Sequence, residues 1–201
     1  MNTPRLRGLI ASLLLFVLAA PGPARAVPLP LTNDQQRNLE RGAVVVLEAL
    51  PPGASRSSQG GTAVARVNAS PETVWRIIVD YRGHAGLYPR VIGAEVLESS
   101  TGADLVRYVV GIGAMSFGFH INAFPDVSRR RLGWRLAPDR PNGLFTDNVG
   151  YWEIEPGPEG VLLMYAMAAR TVLPSFVTRS AERDGLVETI KAVRRRAEET
   201  R

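Results

Sequence analysis

The sequence predicts an α+β domain in which a curved antiparallel sheet of about seven strands wraps around a long C-terminal helix. Three observations carry this. A capped amphipathic helix from Ser70 to Arg82 follows a strand, an uninterrupted series of strands follows that helix, and a second long helix closes the chain. Strands in series with helices at their ends, rather than alternating with them, favour an antiparallel sheet with its helices on one face.

The chain opens with Arg5 and Arg7, an apolar run from Leu9 to Ala20, the breakers Pro21, Gly22 and Pro23, and then Ala24-Arg25-Ala26. This is the layout of a secretory signal with a small-x-small cleavage site. About a dozen apolar residues fall short of the ~20 that span a bilayer as a helix. Residues 1–26 are therefore expected to be removed after Ala26, leaving a periplasmic or secreted protein. The chain has no cysteine, which excludes both a disulfide and a lipidated-cysteine anchor. Loss of the segment would leave 21 basic against 19 acidic side chains, a balance that offers no basic field for nucleic acid. Arg129-Arg130-Arg131 reads as a solvated turn and Arg194-Arg195-Arg196 as a helix end at the negative dipole pole. Transient contact of that basic helix with an anionic membrane surface stays open.

Residues 27–60 form a lead-in. Thr32 and Gln35 make a capping box for a short helix through Arg41, Ala43 to Leu47 is a β-branched strand, and Pro51-Pro52-Gly53 with Ser55 to Gly61 is a break. The regular domain occupies 61–199. Thr62 to Asn68 is its first strand, and Ser70 caps the helix that follows. Pro71 stands where a missing N–H costs nothing, and Val74, Ile77, Ile78 and Tyr81 form one apolar face. Strands follow at Ala94–Ser99, Leu105–Ala114, Phe117–Val127, Arg131–Leu136, Phe145–Glu155 and Val161–Thr171. Pro174 then opens a helix to about Glu199, with Leu186, Ile190, Val193 and Ala197 along one side.

Alternation along strands assigns faces. Val106, Tyr108, Val110 and Ile112 point inward opposite Arg107. Phe117, Phe119 and Ile121 oppose His120, and Leu132, Trp134 and Leu136 oppose Arg131 and Arg135. Trp152 and Ile154 point inward, leaving Asp147, Glu153 and Glu155 to solvent. The last strand is apolar on both faces; Val161, Leu163, Tyr165 and Met167 are taken as inward, with the lead-in covering the outer face.

The helix Ser70-Pro-Glu-Thr-Val-Trp75, Asp80-Tyr81, Tyr88-Pro-Arg-Val91, the strand Gly150-Tyr-Trp-Glu-Ile154 and Leu173-Pro174 before the last helix resemble the START-like superfamily. Within it, the similarity is to the polyketide cyclase/dehydrase and coenzyme Q-binding family. The resemblance spans about Gly61 to Glu199. It implies a helix-grip fold with an apolar cavity between sheet and terminal helix, and ligands such as quinones, sterols, phospholipids or polyketides.

Small residues inside the strands bear on that cavity. Gly111, Gly113, Ala114 and Gly118, with Ala123, Ala166, Ala168 and Ala169, either bend the sheet away from a hollow or make room for the bulk of Trp134, Trp152 and Phe119 in a solid core. Periodicity leaves the two readings level, and the resemblance favours the hollow. Its lining is then expected from Tyr88, Tyr108, Phe119, Trp134, Trp152, Tyr165, Met167 and Phe176, with Leu186 and Ile190 as the helical wall. Asn148, Tyr108, Tyr165 and Arg170 are the polar candidates for orienting a ligand oxygen.

No catalytic residue, metal or cofactor is assigned. Gly111-Ile-Gly113 lacks the third glycine and the following helix of a dinucleotide fingerprint. His84 and His120 are the only histidines; the first reads as a solvated turn residue and the second as outward. The expected function is non-covalent binding of a hydrophobic or lipid-like small molecule. The alternatives are a cyclase/aromatase-type enzyme using Tyr108, Tyr165 or Arg170 to polarise a carbonyl, and a cavity-less interaction module of the envelope.

Overall fold

The computed structural model describes residues 31–172 and 175–200, with the side chains of the last helix described from residue 184 onward. The signal-like segment 1–26, Leu173-Pro174 and the Phe176 side chain lie outside the described residues.

Helix α1 (Asn33–Glu40) opens on the expected capping box: Thr32 Oγ1 accepts the Gln35 N–H at 3.2 Å, and Gln35 Oε1 accepts the Thr32 N–H at 2.8 Å. Strand β1 (Val45–Leu47) then pairs antiparallel with β2 (Gln59–Val67), placing Val45 opposite Val64 and Leu47 opposite Thr62. The sheet therefore has eight strands, one more than expected. The extra strand is the lead-in itself, which supplies partners for the backbone groups on the outer edge of β2 as well as covering the sheet.

Helix α2 (Pro71–Val79) starts at Ser70, whose Oγ accepts the Thr73 N–H at 3.1 Å. It stops at Val79, three residues before Arg82, because the Asp80 carboxylate takes the Gly83 N–H at 3.2 Å and tightens the chain into a 3₁₀ turn over Tyr81–His84. A Cβ on Gly83 would stand 2.3 Å from Asp80 Oδ2, so the turn needs glycine for close approach.

The remaining strands are β3 (Val91–Ser100), β4 (Ala103–Ile112), β5 (Met115–Asp126), β6 (Arg131–Leu136), β7 (Phe145–Gly157) and β8 (Gly160–Thr171). The order across the sheet is β1-β2-β8-β7-β6-β5-β4-β3, with every neighbour antiparallel. Helix α3 (Ser175–Glu199) lies against β2, β8 and α2, gripped by the curved sheet. Val74, Ile78, Val106, Trp152, Leu163, Leu186, Ile190 and Val193 form the core between sheet and helices. A second, smaller core on the outer face joins Leu39 and Val45 to Val64 and Met164. That second core explains why β8 is apolar on both sides: its odd residues face α3 and its even ones lie under the lead-in segment.

Candidate functional site

The main core is incomplete where the concave face of the sheet meets α3 and the segment Tyr81–Val91. A cavity of about 350 Å³ opens there, within the range of small-ligand pockets. Of the residues expected to line it, Tyr88, Tyr108, Phe119, Trp134, Asn148, Trp152, Tyr165 and Met167 do so. Leu186 and Ile190 do not: they are fully buried in the core, Leu186 packing beside Gly61 of β2. The helical wall is formed instead by Asp184, Gly185, Glu188 and Thr189. The most apolar stripe of α3 is the one sealed against the sheet, and a stripe about 100° around the helix, with a glycine and a threonine, faces the hollow.

Aromatic rings build the wall. Trp152 stacks on Tyr165 with centroids 4.2 Å apart, Trp134 lies 5.8 Å from Tyr165, and Tyr108, Phe119 and Phe145 continue the row at 5.6 and 4.7 Å. Phe145, Leu144, Val110 and Ile112 also line the space. A register shift between Phe145 and Asp147 in the β7–β8 ladder reverses the alternation, so strand parity counted back from Trp152 misses Phe145.

Trp134 is held by a missing side chain. A Cβ at Gly150, its partner on β7, would fall 2.3 Å from the indole Cζ2, so the ring lies directly over the glycine backbone. From there its Nε1–H donates to Asn148 Oδ1 at 2.8 Å. Arg170, the other polar candidate, points outward and is exposed; its Nε donates to Thr146 Oγ1 at 3.0 Å. It follows the even, outward face of β8, opposite Tyr165 and Met167.

The segment before β3 contributes an element that sequence reasoning placed in solvent. His84 is 2 % exposed. The 3₁₀ turn folds it under Tyr88, whose ring stacks on the imidazole at 4.0 Å, and against the edge of Tyr81. Its Nε2 lies 3.1 Å from the Ile77 carbonyl and its Nδ1 2.7 Å from the Tyr108 hydroxyl. A carbonyl only accepts, so Nε2 carries the proton. Burial pushes the His84 pKa down to about 4 against smaller opposing contributions from the Ile77 carbonyl and the Asp80 charge. Neutral His84 then offers a lone pair at Nδ1, and the Tyr108 O–H donates into it.

Burial also holds the phenols of Tyr88, Tyr108 and Tyr165 protonated, far above their ordinary range. The Thr189 hydroxyl beside Tyr165 opposes this only weakly. Tyr81 is raised by burial and by Asp104, which accepts its O–H at 3.1 Å. The Tyr88 hydroxyl is sealed from the cavity space and meets no hydrogen-bond partner among the described residues; the nearby Trp152 indole falls short of hydrogen-bond geometry. Exposed Arg90, Asp184 and Glu188 mark the mouth. Arg90 sits in the left-handed region at φ 64°, turning the chain into β3.

An open sheet gripping a terminal helix around an apolar hollow defines a START-like helix-grip protein. The chain belongs to the polyketide cyclase / dehydrase and lipid transport family, whose sequence model matches residues 59–199. Solved structures share the fold. The STAR-related lipid transfer protein of Xanthomonas axonopodis aligns with TM-score 0.61 at 18% identity, over 76% of this chain and 90% of its own. The Zhui aromatase/cyclase from Streptomyces sp. R1128 aligns with TM-score 0.59 at 20% identity, over 68% and 92%. A START superfamily protein from Mycobacterium smegmatis gives TM-score 0.59 at 20% identity, over 70% and 97%. No curated protein matches the sequence.

Proposed function

We propose that this chain is an exported carrier that binds a hydrophobic or lipid-like molecule of the quinone, sterol, phospholipid or polyketide class non-covalently in the cavity. The observation that carries the reading is the hollow of about 350 Å³ walled by Tyr108, Phe119, Trp134, Trp152, Tyr165 and Met167. Burying apolar ligand surface there contributes about 25 cal/mol per Å². The polar groups inside suit holding a ligand better than moving protons. Tyr108 has its proton committed to His84, and the interior phenols resist ionisation. That weighs against the cyclase-type alternative in which Tyr108 polarises a carbonyl.

Loading from a membrane surface fits the mouth. Ile92, Met115 and Val172 are more than 60 % exposed, and each adjoins or pairs with a lining residue: Val91, Ile112 and Thr171 respectively. Organic extraction of the purified protein and mass spectrometry of what it releases test the reading. A protein that carries nothing and takes up no member of a lipid and quinone panel contradicts it. Intact mass of the exported form tests cleavage after Ala26, and vesicle flotation of Met115→Asp tests the surface contact.

A further inference from the structure

The hydrogen-bonding polarity of the cavity is preset by groups around it. The Trp134 indole N–H can only donate, so the atom of Asn148 that receives it at 2.8 Å is the carbonyl oxygen, and the amide cannot be turned around without losing that bond. Both Nδ2 hydrogens are then directed elsewhere. They meet no acceptor among the described residues, and Nδ2 is not among the buried side-chain atoms sealed from the cavity space. Asn148 is itself only 6 % exposed and lines the hollow, so the space its amide faces is the cavity.

The other polar groups of the interior are differently placed. The Tyr108 O–H is spent on His84 Nδ1 at 2.7 Å, and the Tyr88 hydroxyl is closed off from the space. Tyr165 stands beside the Thr189 hydroxyl. An unmet amide donor in an apolar, buried wall is costly unless a bound molecule supplies the acceptor.

We infer that Asn148 Nδ2 is the specificity-determining donor of the site, that Trp134 is its positioning residue, and that the ligand is an apolar molecule bearing a carbonyl-type oxygen. The inference rests on the carrier reading and narrows it. Ring ketones, quinones and lactones fit; hydrocarbons gain nothing from the amide.

A matched pair of probes tests this: tetralin and 1-tetralone, which differ at one carbon, titrated calorimetrically into the purified protein. The affinity ratio of ketone to hydrocarbon, after division by their cyclohexane–water partition ratio, is expected to be at least about fivefold, the worth of one neutral hydrogen bond, because cyclohexane offers the ketone no donor. Replacing both partners, Asn148→Leu with Trp134→Phe, avoids stranding either polar group and should return the corrected ratio to about one, the ratio being the readout because both residues line the wall. Trp134→Phe alone keeps the amide but frees it to turn, and should lower the ratio of the two affinities whatever the reshaped wall does to tetralin itself. A corrected ratio of one in the unmodified protein, or a ratio that survives the double replacement, overturns the assignment while leaving the cavity reading intact. Failure of both probes to bind overturns the carrier reading and this inference with it.

Discussion

Acidification should loosen this protein through one residue. His84 is 2 % exposed, uses its Nε2 proton on the Ile77 carbonyl, and receives the Tyr108 O–H at Nδ1. Protonating Nδ1 would turn the Tyr108 O–H away from its acceptor and place a charge in a buried site beneath the rings of Tyr81, Tyr88 and Tyr108, against which the Ile77 carbonyl and Asp80 pull only in part. The folded pKa is about 4, against about 6.5 in an unfolded chain. Between those values the unfolded state holds the proton and the native state does not, so this contribution to stability is complete above about pH 6.5 and shrinks as pH falls toward 4. Integrating the linkage from pH 7.5 to pH 5 gives a loss of about 2 kcal/mol, or roughly 4–8 °C in Tm for a domain of this size. Urea unfolding at pH 7.5, 6.5, 5.5 and 5.0 measures it. His84→Gln, which cannot titrate, should start less stable at pH 7.5 and show that much less slope, while carboxylates elsewhere contribute equally to both proteins. Equal slopes for the two proteins would show that the imidazole is either solvated or already charged, and would remove the argument for the direction of the Tyr108 bond.

Two further substitutions test the wall. Gly150→Ala would place a methyl 2.3 Å from Trp134 Cζ2 and 2.4 Å from the Ala166 carbonyl, so the indole must leave its seat; a loss of about 1–3 kcal/mol in denaturant unfolding is expected, with a shifted tryptophan emission. Gly185→Ala should act in the opposite sense, because its Cβ meets nothing within 4 Å and helix interiors favour alanine over glycine by about 1 kcal/mol. A rise in Tm accompanied by weaker binding of bulky probes would show that the glycine is kept for space rather than for the helix.

Much of this architecture was written in local chemistry. The Thr32–Gln35 box, the Ser70 cap and the alternation in β4, β5 and β6 each specify their element within a few residues, and all three recur in the structure as read. What escaped was decided by tertiary pairing. Nothing local says that Val45–Leu47 will find the edge of β2, and one register shift after Phe145 is enough to reverse the face of a residue that parity would send outward. Loop composition points His84 to solvent, whereas the Asp80–Gly83 contact turns this loop inward and buries it.

On α3 the most apolar stripe and the cavity wall are different faces. Periodicity reports which side of a helix is withdrawn from water, and a sealed core satisfies that as well as a ligand pocket does. Leu186 and Ile190, the strongest apolar signal on α3, therefore marked the face with no space beside it. A hollow persists where side chains are too small to fill it, and here Gly185 and Thr189 of α3 and Ala169 of β8 are among the residues that line it. The bulky rings work the same way at Trp134, which fits only because Gly150 has no side chain, and whose N–H then turns the Asn148 amide toward the vacant space. The seat of Trp134 and the direction of the Asn148 amide thus depend on the missing side chain of Gly150 and on one hydrogen bond, and Gly150→Ala would disturb both together.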